Sequence, residues 1–340
     1  MQVKAYAAFV PKSELQVYQF ELPALADEEV EIKVLYSGLC HSDISMLDND
    51  WQQTTYPFVP GHEVIGQVTK LGSKVKNLKT GQYVGLGWQS NHCQICGPCI
   101  AGKTNLCRQS EATIVGRHGG FASFVRANWQ WVIPLPEQID LASAGPLLCG
   151  GLTVFTPLLQ HGIQGIHHVG VIGIGGLGHI AIQLYKAWGC KVTAFSSNPD
   201  KFDEIRALGA DQVLNSRALD SVQDQSFDLI VDTVNVPLDW AAYTNLLAPE
   251  GKFHVVGLVL EPIQISSFSL IDKQTSITGS PTGTPLAMYQ LLDFCSRHSV
   301  RPWVEEFPVS KVNEAIKTLR DGKLRYRAVL NMQELHDAVD

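Results

Sequence analysis

The sequence has no apolar leader, no membrane-length hydrophobic run and no basic block, and each absence removes a class of function. Its first residues, Met1-Gln2-Val3-Lys4-Ala5-Tyr6, lack the apolar core and cleavage site of a secretory signal. No stretch approaches the roughly 18 apolar residues that a bilayer span needs; the longest, such as Leu229–Val231 and Val255–Leu260, are strand-sized. The expectation is a cytoplasmic protein with no membrane partner. Lys and Arg number 26 against 33 Asp and Glu, a net charge of −7. Nucleic-acid binding needs clustered cations, so no nucleic-acid partner is expected. A disulfide scaffold is also disfavoured: the eight cysteines sit in a long chain without a leader, and in a reducing compartment clustered thiols suggest metal.

At 340 residues the chain exceeds what one hydrophobic core usually supports, so two domains are expected. The first 150 residues are β-rich, with strand patterns at Val30–Tyr36, Val64–Leu71 and Tyr83–Leu86 punctuated by Gly and Pro. Strands then alternate with helices. The apolar run Val169–Gly173 leads through a Gly-rich turn into a helical pattern carried by Leu177, Ile180, Ala181, Leu184 and Tyr185. It is followed by strand Val192–Phe195, helix Lys201–Leu208, strand Leu229–Val231, helix Trp240–Leu247 and strand Phe253–Val256. Such alternation predicts parallel βαβ units in a doubly wound sheet. A helix at Leu286–Arg297 and a closing pair, Val312–Leu319 and Tyr326–Leu330, end the pattern.

Gly173-Ile174-Gly175-Gly176-Leu177-Gly178 fits G-x-G-x-x-G between a predicted strand and a predicted helix, the context that gives the motif weight. Gly173 permits the tight turn, Gly175 lets the backbone approach a pyrophosphate, and Gly178 allows close helix–strand packing. About 20 residues on, an Asp or Glu would bind the ribose 2′-hydroxyl of NAD. This chain instead has Phe195-Ser196-Ser197-Asn198, with Lys201 close behind. Two hydroxyls, an amide and an ammonium can donate to a 2′-phosphate, so NADP(H) is favoured. Asp200 is expected to cap the next helix and point away.

Cys93-x2-Cys96-x2-Cys99-x7-Cys107 offers four thiolates for a closed, structural Zn²⁺ shell. Gly97, Gly102 and loop N–H groups, with Lys103 or Arg108, are expected to donate to the sulfurs. The spacing matches neither ferredoxin signature, which disfavours an iron–sulfur cluster. Of the remaining cysteines, Cys190 and Cys295 read as packing residues. Cys40 and Cys149 lie in Gly-rich irregular chain and, with His62, could form an open Cys₂His zinc site.

Five segments occur in order: Gly38-Leu39-Cys40-His41-Ser42-Asp43, Tyr56-Pro57-Phe58-Val59-Pro60-Gly61-His62-Glu63, the four-cysteine lobe, Pro146-Leu147-Leu148-Cys149-Gly150-Gly151-Leu152-Thr153, and the glycine motif. Together with the ending Leu324-Arg325-Tyr326-Arg327-Ala328-Val329-Leu330, over nearly the whole chain they resemble the zinc alcohol dehydrogenases of the medium-chain dehydrogenase/reductase superfamily, in the cinnamyl-alcohol-dehydrogenase-like branch. The resemblance implies an α/β protein with a GroES-like β-rich catalytic domain and a Rossmann domain. The division is then 1–152 (zinc lobe 90–108), 153–290, and a segment 291–340 returning to the first domain.

The resemblance also implies two zincs per chain, with Cys40, His62 and Cys149 on the catalytic one and Glu63 just behind. Thr153, Val256, Gly257 and Ser280 would line the cofactor site, and Ser42 would start a proton relay. Relatives commonly carry His five residues after the first zinc cysteine; this chain has Ser45, which leaves His41 as an alternative exit. The expected reaction is hydride transfer between NADP(H) and a primary alcohol or aldehyde. Trp51, and to a lesser degree Trp88, suggest aromatic pocket walls suited to aryl or allylic aldehydes; ordinary packing is the competing reading. His161, His167, His168, Trp129 and Trp131 read as packing or surface residues. A homodimer is expected. The alternatives are an NAD-dependent polyol or sugar dehydrogenase, and a non-catalytic relative with a binding role, which would carry a damaged metal site.

Overall fold

The alternation Val30, Ile32, Val34 along one strand places apolar side chains on a single face, and around that strand the first sheet is built. In the computed structural model, which describes residues 1–219, 222 and 226–336, it runs over Glu29–Leu39 with these residues fully buried. The remaining positions, including the last four of the expected segment 291–340, lie outside the described residues. The strand pairs antiparallel with Val64–Leu71, Phe124–Asn128 and Arg327–Asn331. Tyr83–Leu86, Val132–Pro134 and Val304–Pro308 complete the sheet. Register irregularities between Glu31/Ile32 and Val34/Tyr36 mark bulges, which bend a strand.

The chain divides into two units: Met1–Cys149 with Thr284–Arg297 and the residues from Pro302 onward, and Gly150–Gly283 with His298–Arg301. The second unit holds a six-stranded parallel sheet. Its order is Gln212–Asn215, Lys191–Ser196, His168–Ile172, Phe227–Asp232, Leu247–Val255, Ser276–Gly279. Counted along the chain this is 3-2-1-4-5-6, the doubly wound order with its switch point beside the first strand. Both faces are covered, so the strands read as apolar runs rather than alternations. Phe195, Phe227, Ile230, Tyr243 and Phe253 form part of this core.

Most expected elements are present with ends shifted by one or two residues. The helix expected over Trp240–Leu247 stops at Asn245, because Leu247 already pairs with Phe227 in the sheet. The strands Gln16–Glu21 and Val304–Pro308 were not foreseen; both are partly exposed and carry few apolar residues. No single helix among the described residues is long and apolar enough to cross a membrane.

Candidate active site

Strand pairing brings three remote segments together at one end of the first sheet. Glu29–Leu39 runs directly into Cys40, which caps the helix His41–Asp48. Ser37 pairs with Val64, so His62 and Glu63 arrive beside Cys40. Ala328 pairs with Leu39, which carries Arg327 to the same place. Cys149 ends the turn Gly145–Leu148. Gly145 must be small there, since a Cβ would sit 2.9 Å from the Glu63 carbonyl oxygen. Gly38 is needed for the same reason: a Cβ would strike the Glu63 carboxylate.

One donor atom from each of Cys40, His62, Glu63 and Cys149 lies within 4.8 Å of the others, and all four residues are buried. His62 Nδ1 is 2.9 Å from Asp43 Oδ1. The same carboxylate accepts from Gly61 N at 2.8 Å and from Cys40 N at 3.0 Å. With Nδ1–H held by Asp43, the Nε2 lone pair faces the thiols, and Nε2 is buried without a hydrogen-bond partner. Glu63 Oε2 is likewise unpartnered, while Oε1 accepts from Arg327 Nη2. Leaving buried polar atoms unpaired costs free energy. Here the unpaired atoms converge with two thiols, the donor set that an open zinc site uses. A zinc ion fits these residues.

The four buried groups shift one another strongly. The hydrogen bond from Cys149 holds the Cys40 thiol well below its ordinary pKa against the opposing effect of burial, with help from His62 and Arg327; the same bond pushes Cys149 up. Burial works to lower the pKa of His62, but the charge and hydrogen bond of Asp43 outweigh it. Burial pushes Glu63 up to about 7 against the pull of Arg327. Ser42 Oγ lies 3.9 Å from Cys40 Sγ. His41 is exposed and Ser45 half-buried.

The second thiol cluster is local. Cys107 is buried and Cys93, Cys96 and Cys99 are half-exposed. Sulfur separations are 3.4 Å for Cys96–Cys99, 3.5 Å for Cys93–Cys107 and 3.9 Å for Cys93–Cys99. Tetrahedral zinc with bonds of about 2.3 Å requires about 3.8 Å between sulfurs, so these four also fit the metal. The donors are loop N–H groups, as expected, but come from other residues than those anticipated. The N–H groups of Ile95 and Cys96 serve Cys93, lowering its thiol to about 6, and Gln109 N lies 3.4 Å from Cys107 Sγ. Gly97, Gly102, Lys103 and Arg108 are not among the donors seen in the described residues; the donors to Cys93 and Cys107 lie two or three residues further on, and Gln94 serves Cys99.

In the second unit the glycine motif behaves as its chemistry suggests. Gly173 has φ +84°, and a Cβ there would strike the Val234 side chain. A Cβ on Gly178 would strike the Gly173 carbonyl, whereas one on Gly175 would meet nothing within 4 Å. Gly175 thus borders open space, room for a pyrophosphate to approach. Gly176 and Leu177 complete the turn, and Leu177, the N-cap of the helix Gly178–Trp188, supplies no side-chain cap. At the second strand's end, Ser197 and Asn198 are exposed and Lys201 half-buried. Ser196 is turned inward, its Oγ accepting from Asn198 N at 3.3 Å. The cap expected of Asp200 belongs to Asn198, whose Oδ1 accepts from Asp200 N at 3.0 Å. Its shorter loop reaches the first free N–H, which Asp200 itself provides. Val256 and Gly257 both donate backbone N–H groups to Asp232 O at 3.0 Å. Thr153 is buried in the helix Gly150–Gln160, and Ser280 follows the last strand.

Two charged residues of the first site went unread in the sequence. Asp43 and Arg327 both lie in segments quoted for their resemblance, and the available signal was a carboxylate three residues after a ligand cysteine and an arginine inside an apolar strand. Trp88, weighted toward packing, stands with its ring 5.0 Å from that of His62 at 81°, and Trp51 packs edge-on against it at 6.0 Å.

Comparison with known proteins extends this picture. Residues 26–137 match the alcohol dehydrogenase GroES-like domain, and 176–297 match the zinc-binding dehydrogenase family. The chain is 48% identical to an aldehyde reductase of Synechocystis over 97% of its length and 98% of that protein's. A cinnamyl alcohol dehydrogenase structure from Sorghum bicolor superposes with a TM-score of 0.93 at 34% identity, covering 97% of this chain and 98% of that one. One from Helicobacter pylori, complexed with NADP(H), gives 0.91 at 28% identity, covering 98% and 99%.

Proposed function

Because the chain belongs to the zinc-containing alcohol dehydrogenases of the medium-chain superfamily and is a zinc-dependent alcohol dehydrogenase or aldehyde reductase, we propose that it works with NADP(H), that Cys40, His62 and Cys149 hold the catalytic zinc, and that Cys93, Cys96, Cys99 and Cys107 hold a structural one. The observation that carries the first site is the convergence of an unpartnered His62 Nε2 with two buried thiols. When bound, the zinc supplies Lewis acidity toward the substrate oxygen and NADP(H) supplies or accepts the hydride.

The chain's own residues do the rest. Asp43 fixes the His62 ring and its tautomer through Nδ1. Arg327 offsets the buried charge of Glu63 and of the thiolates. Ser42 Oγ, beside Cys40, takes or gives the proton of the alcohol oxygen. Gly173, Gly175, Gly176, Leu177 and Gly178 receive the pyrophosphate at a helix N-terminus. Ser197, Asn198 and Lys201 face the 2′-phosphate, with Ser196 shaping the loop beneath them. Thr153, Val256, Gly257 and Ser280 would line the cofactor site. Trp88, edge-on to His62, and Trp51, edge-on to Trp88, favour an aromatic or allylic aldehyde. The domain division we propose is a GroES-like catalytic domain interrupted by the Rossmann unit, in the cytoplasm.

A homodimer is supported by the edge strand Ser276–Gly279, paired on one side only among the described residues, and by the exposed apolar side chains Leu260, Phe268 and Ile271 nearby.

The test of the cofactor reading is a screen of aryl, allylic and aliphatic aldehydes with NADPH and with NADH, followed by loss of reduced-cofactor absorbance. NADPH is expected to give the higher kcat/KM, with Ser197→Asp erasing or reversing the preference by setting a carboxylate against the 2′-phosphate. A wild type that prefers NADH would overturn this reading and favour the NAD-dependent polyol dehydrogenase.

A further inference from the structure

A hydrogen-bonded chain of side chains in the second unit is left unused by the reaction described above. His254 is fully buried in the strand Leu247–Val255. Parallel pairing sets it opposite Thr278, and side chains two residues apart on a strand share a face, so Ser280 follows Thr278 on the side of His254. His161 enters from the turn after the helix Gly150–Gln160. The contacts follow from this placement. His254 Nδ1 is 2.9 Å from both His161 Nε2 and Thr278 Oγ1, and His254 Nε2 is 3.0 Å from Ser280 Oγ. His161 Nε2 is also 3.2 Å from Thr278 Oγ1. A histidine buried on the strand next to the edge of a parallel sheet gives up solvation that an apolar residue would not need.

We assign the proton positions from the partners. Thr278 Oγ1 donates to the Phe253 carbonyl at 3.4 Å, so its oxygen is the acceptor toward the ring. His254 Nδ1 then carries the proton, shared between Thr278 Oγ1 and His161 Nε2. Burial, with His161 beside it, pulls His254 down to about 4, so the ring is neutral near pH 7 and Nε2 has no proton. Nε2 must accept, and the Ser280 hydroxyl is the donor. Its proton is thereby committed inward, and its oxygen is left as an acceptor at the carboxyl edge of the sheet. In doubly wound folds that edge is where ligands bind.

We propose that His254 is a positioning residue for the dinucleotide: it holds the Ser280 hydroxyl as an obligatory acceptor, with His161 and Thr278 fixing its tautomer, so that the site selects a ligand bearing an N–H donor, the carboxamide of the nicotinamide ring. The proposal rests on the reading of the second unit as the NADP(H) site and adds a discrimination that reading does not contain.

The experiment compares NADP⁺ with its 3-acetylpyridine analogue, which keeps the ring and the carbonyl but has no amide N–H, using the zinc-loaded full-length enzyme. Dissociation constants come from titration, and kcat/KM from oxidation of one alcohol. One neutral hydrogen bond contributes about five- to ten-fold in affinity. His254→Asn keeps an atom near Nδ1 but loses the Ser280 contact. It and Ser280→Ala are each expected to weaken NADP⁺ about five-fold while leaving the analogue unchanged. The double variant is expected to lose no more than either single one, as for two members of a single contact. His254→Gln, whose amide oxygen reaches the Nε2 position, is expected to restore most of the discrimination. Equal weakening toward both nucleotides, additive losses, or a lowered melting temperature with an unchanged affinity ratio would make His254 a structural residue and overturn the proposal. A wild type that binds neither NADP⁺ nor NAD⁺ in the same titration would sink the dinucleotide reading and this proposal together, an outcome distinct from any of those.

Discussion

Cys93, Cys96, Cys99 and Cys107 lie within fifteen residues of each other, whereas Cys40, His62 and Cys149 come from three separate parts of the chain. The first group is half-exposed apart from Cys107 and takes its stabilising donors from the backbone of its own loop. The second is fully enclosed and is surrounded by charged side chains, Asp43, Glu63 and Arg327, each held by further contacts. Four sulfurs fill a tetrahedral shell and leave nothing over. Two sulfurs and one imidazole would leave a position open on a bound zinc, and Asp43 fixes the orientation of the imidazole. The metal centre suited to chemistry is the one that needs the tertiary fold.

The sharpest way to break this contrast is to remove one thiol from each cluster. Cys149→Ser is expected to cut kcat by at least about a thousand-fold, the scale of losing a principal electrostatic contribution to catalysis, with circular dichroism and melting temperature near wild type. Cys93→Ser should do the opposite in kind, lowering melting temperature and soluble yield, because closed zinc sites contribute directly to folding. Matching phenotypes in the two variants would erase the distinction.

The next largest effect concerns Arg327. Arg327→Met fills similar volume but leaves the Glu63 carboxylate buried without its cation, for a destabilisation of about 3–5 kcal/mol. Denaturant unfolding measures it, and a loss below 1 kcal/mol would show that Glu63 has another partner. The smallest effect is that of Asp43→Asn, which removes the charge facing His62 and keeps one of the two oxygens that accept from Cys40 N and from Gly61 N. Zinc affinity is expected to fall about 10- to 100-fold, read by competition with a chelator, and the four-cysteine site should be unaffected.

The same contrast explains what could be read from the sequence. A local cluster is written as spacing, so Cys93 to Cys107 could be recognised from thiol chemistry alone. So could the glycine turn, because Gly173, Gly175 and Gly178 each answer a local steric demand. Pairing of Cys40, His62 and Cys149 depends on strand register, which period-two patterns do not specify between distant segments; those three came together through resemblance. Asp43 and Arg327 stayed hidden for the same reason. A carboxylate in the first turn of a helix ordinarily reads as a cap, and Asp43 is one, accepting from Cys40 N. Nothing local says that its other oxygen meets His62. Arg327 sits in an apolar strand, and only the pairing of Ala328 with Leu39 shows what it faces. His161 reads as a packing or surface residue, and His254 carries no local signal, because the register that sets His254 beside Thr278 links positions 24 residues apart in sequence.

The measurement that bears most directly on two centres with separate duties is zinc content per chain by elemental analysis, taken on wild type, Cys149→Ser and Cys93→Ser after dialysis against a weak chelator. The expected result is two zincs in the wild type and one in folded Cys149→Ser, with the remaining zinc supporting a wild-type melting temperature; whatever Cys93→Ser remains folded should keep its zinc at Cys40, His62 and Cys149. A single zinc in the wild type, or two in Cys149→Ser, would contradict the account.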